Sequence, residues 1–147
     1  MPSATLTIVG RGSPDWLRDS VARQDGATLL EGVDDLEPLY RSARCVAVPV
    51  RAGGGTKLKA YEAMAYGVPI ACTPETVRGI DIRHGEAVIA ESTEDIIAAV
   101  VTFLDSPVLA AESGKAARRA FADRLSWAAS ASSLDNALDT ALAVTQR

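Results

Sequence analysis

The feature that most narrows the fold is an alternation. Short apolar runs of β type recur along the chain, and each is followed by a segment with helical spacing. Ala4 to Val9 (ATLTIV) is the first run, closed by Gly10-Arg11-Gly12. Ser13-Pro14 predicts a helix start, with Ser as N-cap and Pro at the first helical position, and a helix to about Arg23. Thr28 to Glu31 is a second strand, and Asp34-Asp35 caps a short helix through about Ala43. Arg44 to Val48 is a third strand, ending at Pro49. A loop with Gly53-Gly54-Gly55 leads into a helix from about Thr56 to Tyr66, stopped by Gly67-Val68-Pro69. Ile70 to Thr73 and Ala87 to Ala90 are the fourth and fifth strands. Ser92-Thr93-Glu94-Asp95 resembles a capping box and opens a helix to about Leu104. Ser106-Pro107 repeats the Ser-Pro start, and two helices follow near 107–123 and 126–145. The last carries Trp127, Leu134, Leu138 and Leu142, an apolar stripe at helical spacing.

Strands alternating with helices imply right-handed βαβ units and a parallel sheet. The expected fold is therefore α/β: a Rossmann-like parallel sheet of about five strands flanked by helices, with a helical C-terminal tail. The 147 residues read as a single domain, with an α/β core over 1–105 and C-terminal helices over 106–147. Ligands of such sheets bind beyond the carboxyl ends of the strands. The loops to inspect are 10–13, 32–35, 49–56 and 73–79.

Composition removes several classes. The chain is 48% hydrophobic and 23% charged, which suits a packed core and argues against disorder. A net charge of -4 with no dominant basic patch argues against a nucleic-acid partner. No apolar run approaches the ~18 residues of a membrane helix, and no secretory signal is visible at Met-Pro-Ser-Ala-Thr. A cytoplasmic location is expected. Cys45 and Cys72 each lie within a short apolar run and read as core residues. With one histidine and no C-x-x-C, no metal is expected.

The chemistry concentrates in Val50 to Pro69, VRAGGGTKLKAYEAMAYGVP. Three glycines between a strand and a helix let backbone approach a ligand, and the helix start offers N–H groups to an anion such as phosphate. Lys57 and Lys59, two of only three lysines, fall in the first turn, where a cation opposes the helix dipole. A bound anion would relieve that conflict. Glu62 sits roughly 9 Å along the helix from its expected start, among Tyr61, Ala63, Met64, Ala65 and Tyr66. That spacing lets it reach a ribose if a diphosphate lies on the helix start. Two bland alternatives stand beside this reading: the glycines form only a tight turn, and Glu62 pairs with Lys59 one turn earlier. Arg78 and His84 read as surface residues, and Glu75 has no partner visible in the sequence.

Five blocks occur in order: LTIVGRGS, LLEGVDDLEPLYRSARCVAVPV, GGGTKLKAYEAMAYGVPIACT, RGIDIRHGEAVIA and RLSW. Together they resemble the C-terminal, donor-binding half of a GT-B glycosyltransferase of the group 1 (family 4) type. The run K-x-x-E-A-M-A-x-G-x-P-I is the most specific part, and the resemblance covers nearly the whole chain. It implies sugar transfer from a nucleoside diphosphate sugar to an unknown acceptor, with retention at the anomeric carbon and no cofactor or essential metal. Glu62 matches the second Glu of the E-x7-E motif, which contacts the donor ribose. The first Glu would fall at Gly54, so the resemblance shifts donor binding toward the loop amides of Gly53, Gly54, Gly55 and Thr56, with Lys57 supplying part of the positive charge. Val33 to Leu36 match the segment beside the nucleobase, and Gly10 and Gly12 match glycines near the donor cleft.

The resemblance also implies missing parts: the N-terminal acceptor domain, and the first strand of the donor domain with its cations. The chain is expected to be part of a larger protein and inactive alone. With that strand absent, the first and third strands either become neighbours, in the order 2-1-3-4-5, or accept a strand from elsewhere; exposed edges would favour a dimer. The rival readings are a non-catalytic α/β interaction module and an epimerase-type GT-B domain. A receiver-type domain is rejected, because Gly10-Arg11 and Pro49 stand where it needs acidic residues.

Overall fold

The computed structural model describes residues 4–145. They form two compact units, Met1–Leu39 and Tyr40–Arg147. The first contains β1 (Leu6–Gly10), α1 (Asp15–Ala22) and β2 (Ala27–Glu31). The second contains β3 (Val46–Val48), α3 (Leu58–Tyr66), β4 (Ile70–Cys72), β5 (Val88–Ile89), α4 (Thr93–Asp105), α5 (Pro107–Ala120), a π-helical turn (Phe121–Leu125) and α6 (Trp127–Thr145). The short α2 (Glu37–Ser42) spans the division. The five strands, their order along the chain and the helices after them match the α/β alternation expected from sequence.

All strand pairing is parallel, but it is divided. β1 pairs with β2 from Leu6 opposite Ala27 to Gly10 opposite Glu31. A separate sheet runs β3-β4-β5. β1 and β3 are not hydrogen-bonded neighbours, so the single-sheet order 2-1-3-4-5 does not form among the described residues. β1 and β3 each keep one strand edge without a β partner there.

In the first unit, Glu31 closes the carboxyl end of the strand pair. Its carboxylate accepts the Ser13 backbone N–H at 2.8 Å and meets the Arg18 guanidinium at 2.7 Å. This corrects the expected start of α1. Pro14 occupies the N-cap position, with no side-chain cap, and the Ser13 amide is turned toward Glu31. The same dipeptide at Ser106-Pro107 behaves as expected: the Ser106 hydroxyl accepts the Leu109 N–H and Pro107 begins α5. The two sites differ in a tertiary contact, since the Glu31 carboxylate engages Ser13. Asp35 caps α2 by accepting the Glu37 N–H at 2.9 Å. Ser92 caps α4 by accepting the Asp95 N–H at 3.0 Å, while its hydroxyl donates to the Asp95 carboxylate at 2.7 Å.

In the second unit, β4 is buried along its whole length. Alternate residues face opposite layers. Ile70 and Cys72 join Val48, Ala63, Met64, Ala117 and Ala120 on one side. Ala71 joins Ala90, Ile96, Ala99, Phe103 and Ala110 on the other. Cys72 is a core residue, and burial pushes its thiol up to about 11; Cys45 is half-buried, and both cysteines are free. Gly67 ends α3 in the left-handed region at φ 70°. Gly114 of α5 lies against it: a Cβ on Gly114 would overlap the Gly67 carbonyl oxygen. This backbone approach sets α5 against the carboxyl end of α3. The π-helical turn is anchored by Arg124, which donates to Glu86 at 2.7 and 2.9 Å and to Asp81 at 3.2 Å. α6 forms as expected, but Trp127, Leu134, Leu138 and Leu142 remain exposed, Trp127 at 92%.

Replacing Gly114 with Ala improves helix propensity by about 1 kcal/mol, yet the new methyl meets backbone that cannot rotate away. We expect a net loss of about 2 kcal/mol or more, read from the urea midpoint; unchanged or raised stability would contradict the close approach. A second expectation concerns acid. The Ser13 amide, with Arg18, holds the Glu31 carboxyl below its ordinary value. Its stabilising contribution is therefore complete above that ordinary value and is lost as pH falls through the lowered one. Between about pH 5 and about pH 3 the melting temperature should fall less in Glu31→Gln than in the parent chain.

Candidate functional site

The glycine loop leaves the carboxyl end of β3, where two threonines shape it. The Thr73 hydroxyl donates to the Val50 carbonyl, and the Thr76 hydroxyl donates to the Val48 carbonyl at 2.6 Å. Both threonines are buried, so these bonds fix the direction in which the chain leaves the sheet. Gly53 and Gly55 have φ of 143° and 72°, which explains two of the glycines by backbone geometry. Gly54 is different. Its φ lies outside that region, and a Cβ there would meet nothing within 4 Å. Neither local conformation nor packing within the chain requires glycine at 54.

Gly53, Gly54, Gly55 and Thr56 are all exposed. Among the described residues, the backbone N–H groups from Gly53 to Lys57 donate to no protein acceptor. α3 begins at Leu58 with no side-chain cap. The helix thus starts two residues later than the expected Thr56, and Lys57 is its N-cap residue, with only Lys59 in the first turn.

Lys57 turns back into the loop. Its ammonium donates to the carbonyls of Gly53 and Gly55, both at 2.9 Å, and to the Glu75 carboxylate at 3.2 Å. Three donors meet three acceptors, and both side chains are only 11% exposed. Glu75 also pairs with Arg78. The residue with no partner visible in the sequence is therefore the anchor of the loop. The Arg78 spacing of three residues was a readable signal; the Lys57 pairing, 18 residues away, was not.

Glu62 is the fifth residue of α3, about 6 Å along the axis from Leu58. Its Oε2 accepts the Tyr40 hydroxyl at 3.0 Å. No ion pair joins it to Lys59 among the described residues, so the alternative of a helix-surface pair with Lys59 does not form. Its Oε1 accepts nothing from them. Burial, and then the Glu62 carboxylate, push the Tyr40 phenol well above its ordinary value, so it stays a donor at neutral pH. Tyr40 stacks on Tyr66 with centroids 5.3 Å apart and planes at 14°. The Tyr40 hydroxyl, absent from the sequence-based candidates, thus holds one carboxylate oxygen and leaves the other available.

Gly10, Gly12 and Val33 belong to the first unit. Gly10 ends β1, Gly12 has φ 62°, and Val33 follows Gly32 beyond β2. Parallel pairing sets these two loops side by side, with the Gly32 N–H on the Gly10 carbonyl at 3.2 Å and Arg11 on Asp34 at 3.1 Å. Among the described residues no group of three His, Cys, Asp or Glu side chains could hold a metal ion, and no single helix is long and apolar enough to cross a membrane.

The fold is that of a solved structure, the crystal structure of TarM. The two share 19% identity at a TM-score of 0.72, over 92% of this chain and 28% of that one. This chain thus spans little more than a quarter of that structure's length. No curated protein sequence matches it. The sequence profile of the family described as glycosyl transferases group 1 matches residues 1–106, well over half the chain and including the glycine loop and Glu62. By that match, the chain belongs to the group 1 glycosyltransferases.

Proposed function

We propose that this chain is the donor-binding half of a retaining glycosyltransferase of the GT-B type, and that the glycine loop receives the diphosphate of a nucleotide sugar. The observation that carries the reading is Gly54. It is a glycine that the chain's own conformation does not need, flanked by backbone amides that donate to no protein acceptor. A side chain there would occupy the space through which a phosphate oxygen approaches those amides.

In this reading the loop amides and the start of α3 stabilise the negative charge on the departing nucleoside diphosphate. Lys57 is a positioning residue. It clamps the Gly53 and Gly55 carbonyls inward, which leaves the intervening amides to the ligand. The free oxygen of Glu62 accepts a ribose hydroxyl, and Tyr40 fixes the orientation of the carboxylate. Orientation of the donor is the second contribution, since a correctly held anomeric carbon lowers the entropic part of the barrier. The acceptor, and the groups that activate it, belong to another part of the enzyme. The isolated chain binds donor weakly and transfers no sugar.

Calorimetric titration with UDP, GDP and ADP tests this. One nucleotide should bind saturably, and both Glu62→Ala and Gly54→Val should weaken it about tenfold, or about 1.4 kcal/mol, without lowering the melting temperature. If no nucleotide binds, either to this chain or to a longer one extended at its N-terminus, the loop is only a structural turn and the proposal fails.

A further inference from the structure

A groove of about 500 Å³ opens at the carboxyl end of α3, lined by Tyr66, Gly67, Gly114, Lys115, Arg118 and Arg119. It lies one helix length, about 13 Å, from the glycine loop. It is on the side of the sheet where the strands begin, because α3 runs back from the end of β3 to the start of β4.

Three cations converge on this groove. Lys115, Arg118 and Arg119 are spaced three and four residues apart, so they share one face of α5. All three are exposed. None has an ion pair or hydrogen-bond partner among the described residues. A fourth cation is near: the Arg41 guanidinium carbon lies 5.7 Å from the centroid of the Tyr66 ring that lines the groove. The close approach of Gly67 and Gly114 creates the concavity, since two residues without side chains meet at its floor.

Helix polarity explains part of this pattern. Arg118 and Arg119 lie in the last turn of α5, where cations offset the dipole. Lys115 lies outside that turn and gains nothing from it. Like charges at this spacing repel by about 0.2–0.5 kcal/mol per pair. Their convergence on one concave surface, in a chain whose net charge is -4, is what an anion would reward.

We propose that this groove is a second anion site, specific for a phosphate group, separate from the glycine loop and independent of the donor-binding assignment. Two guanidinium groups and an ammonium suit a phosphate carrying two charges, because each guanidinium presents a planar fork of donors. The phosphate is either that of a soluble phosphorylated compound or that of a lipid headgroup.

Two probes separate the sources: inorganic pyrophosphate, followed by calorimetry, and vesicles of equal parts phosphatidic acid and phosphatidylcholine, followed by flotation against phosphatidylcholine alone. Binding of pyrophosphate without vesicle binding assigns a soluble ligand; vesicle binding not displaced by pyrophosphate assigns a headgroup. Both probes are applied to Gly54→Val, in which the glycine loop is blocked, so that any binding reports the groove; adding Lys115→Gln, Arg118→Gln and Arg119→Gln to that variant should then cost about tenfold or more in affinity. A readout on the unmodified chain guards against misfolding of the variant: the bound probe should slow acetylation of Lys115 severalfold. Failure of both probes to bind, equal binding after those three substitutions are added, or unchanged Lys115 acetylation would overturn the proposal.

Discussion

Ile70, Ala71 and Cys72 leave β4 no solvent face, so two layers must cover a strand only three residues long. That requirement organises the second unit. One layer is built by α3 and the end of α5, the other by α4 and the start of α5. α5 serves both, and it can do so because its inward positions are Ala110, Gly114, Ala117 and Ala120. Larger residues there would hold the helix away from the sheet. The alanine-rich composition of this region is thus a packing device. It allows a short strand to be enclosed without large side chains, and it brings α5 close enough to α3 to form the cationic groove.

The loop after β3 shows how the same scaffold prepares a site. A lysine at the start of a helix opposes the dipole, and a bound anion is one way to relieve that conflict. The protein supplies another. Glu75 and two loop carbonyls satisfy the Lys57 ammonium, so its charge is largely spent on shaping the loop. What the loop offers outward is backbone N–H. This division of labour fits the glycine at 54, where the resemblance to the E-x7-E motif would place the first glutamate. With no carboxylate there, what the loop presents is backbone N–H held in place by Lys57.

Much of this was legible in the sequence because local rules acted alone. Gly67 followed by Pro69 ended a helix, Ser106 capped one, and a three-residue apolar run marked a buried strand; none of these depends on distant residues. The errors arose where a distant group competed. Ser13 did not cap α1, and Glu31, 18 residues away, engages it instead. The partner of Glu62 was likewise out of reach of local rules, because Tyr40 lies 22 residues earlier. The stripe from Trp127 to Leu142 specified a helix correctly but gave no information about what covers it.

The sequence by itself determined which segments are strand and helix, where most helices stop, and the glycine loop with Glu62 behind it. Each of those follows from periodicity, capping chemistry and backbone freedom within a few residues. Only the tertiary structure decided that the strands pair as two sheets, that Lys57 faces inward to Glu75, that Tyr40 orients Glu62, and that three cations of α5 share a groove with Tyr66. Those features depend on residues brought together by burial of β4 and by backbone contact at Gly67 and Gly114, and separation along a chain does not encode distance in space.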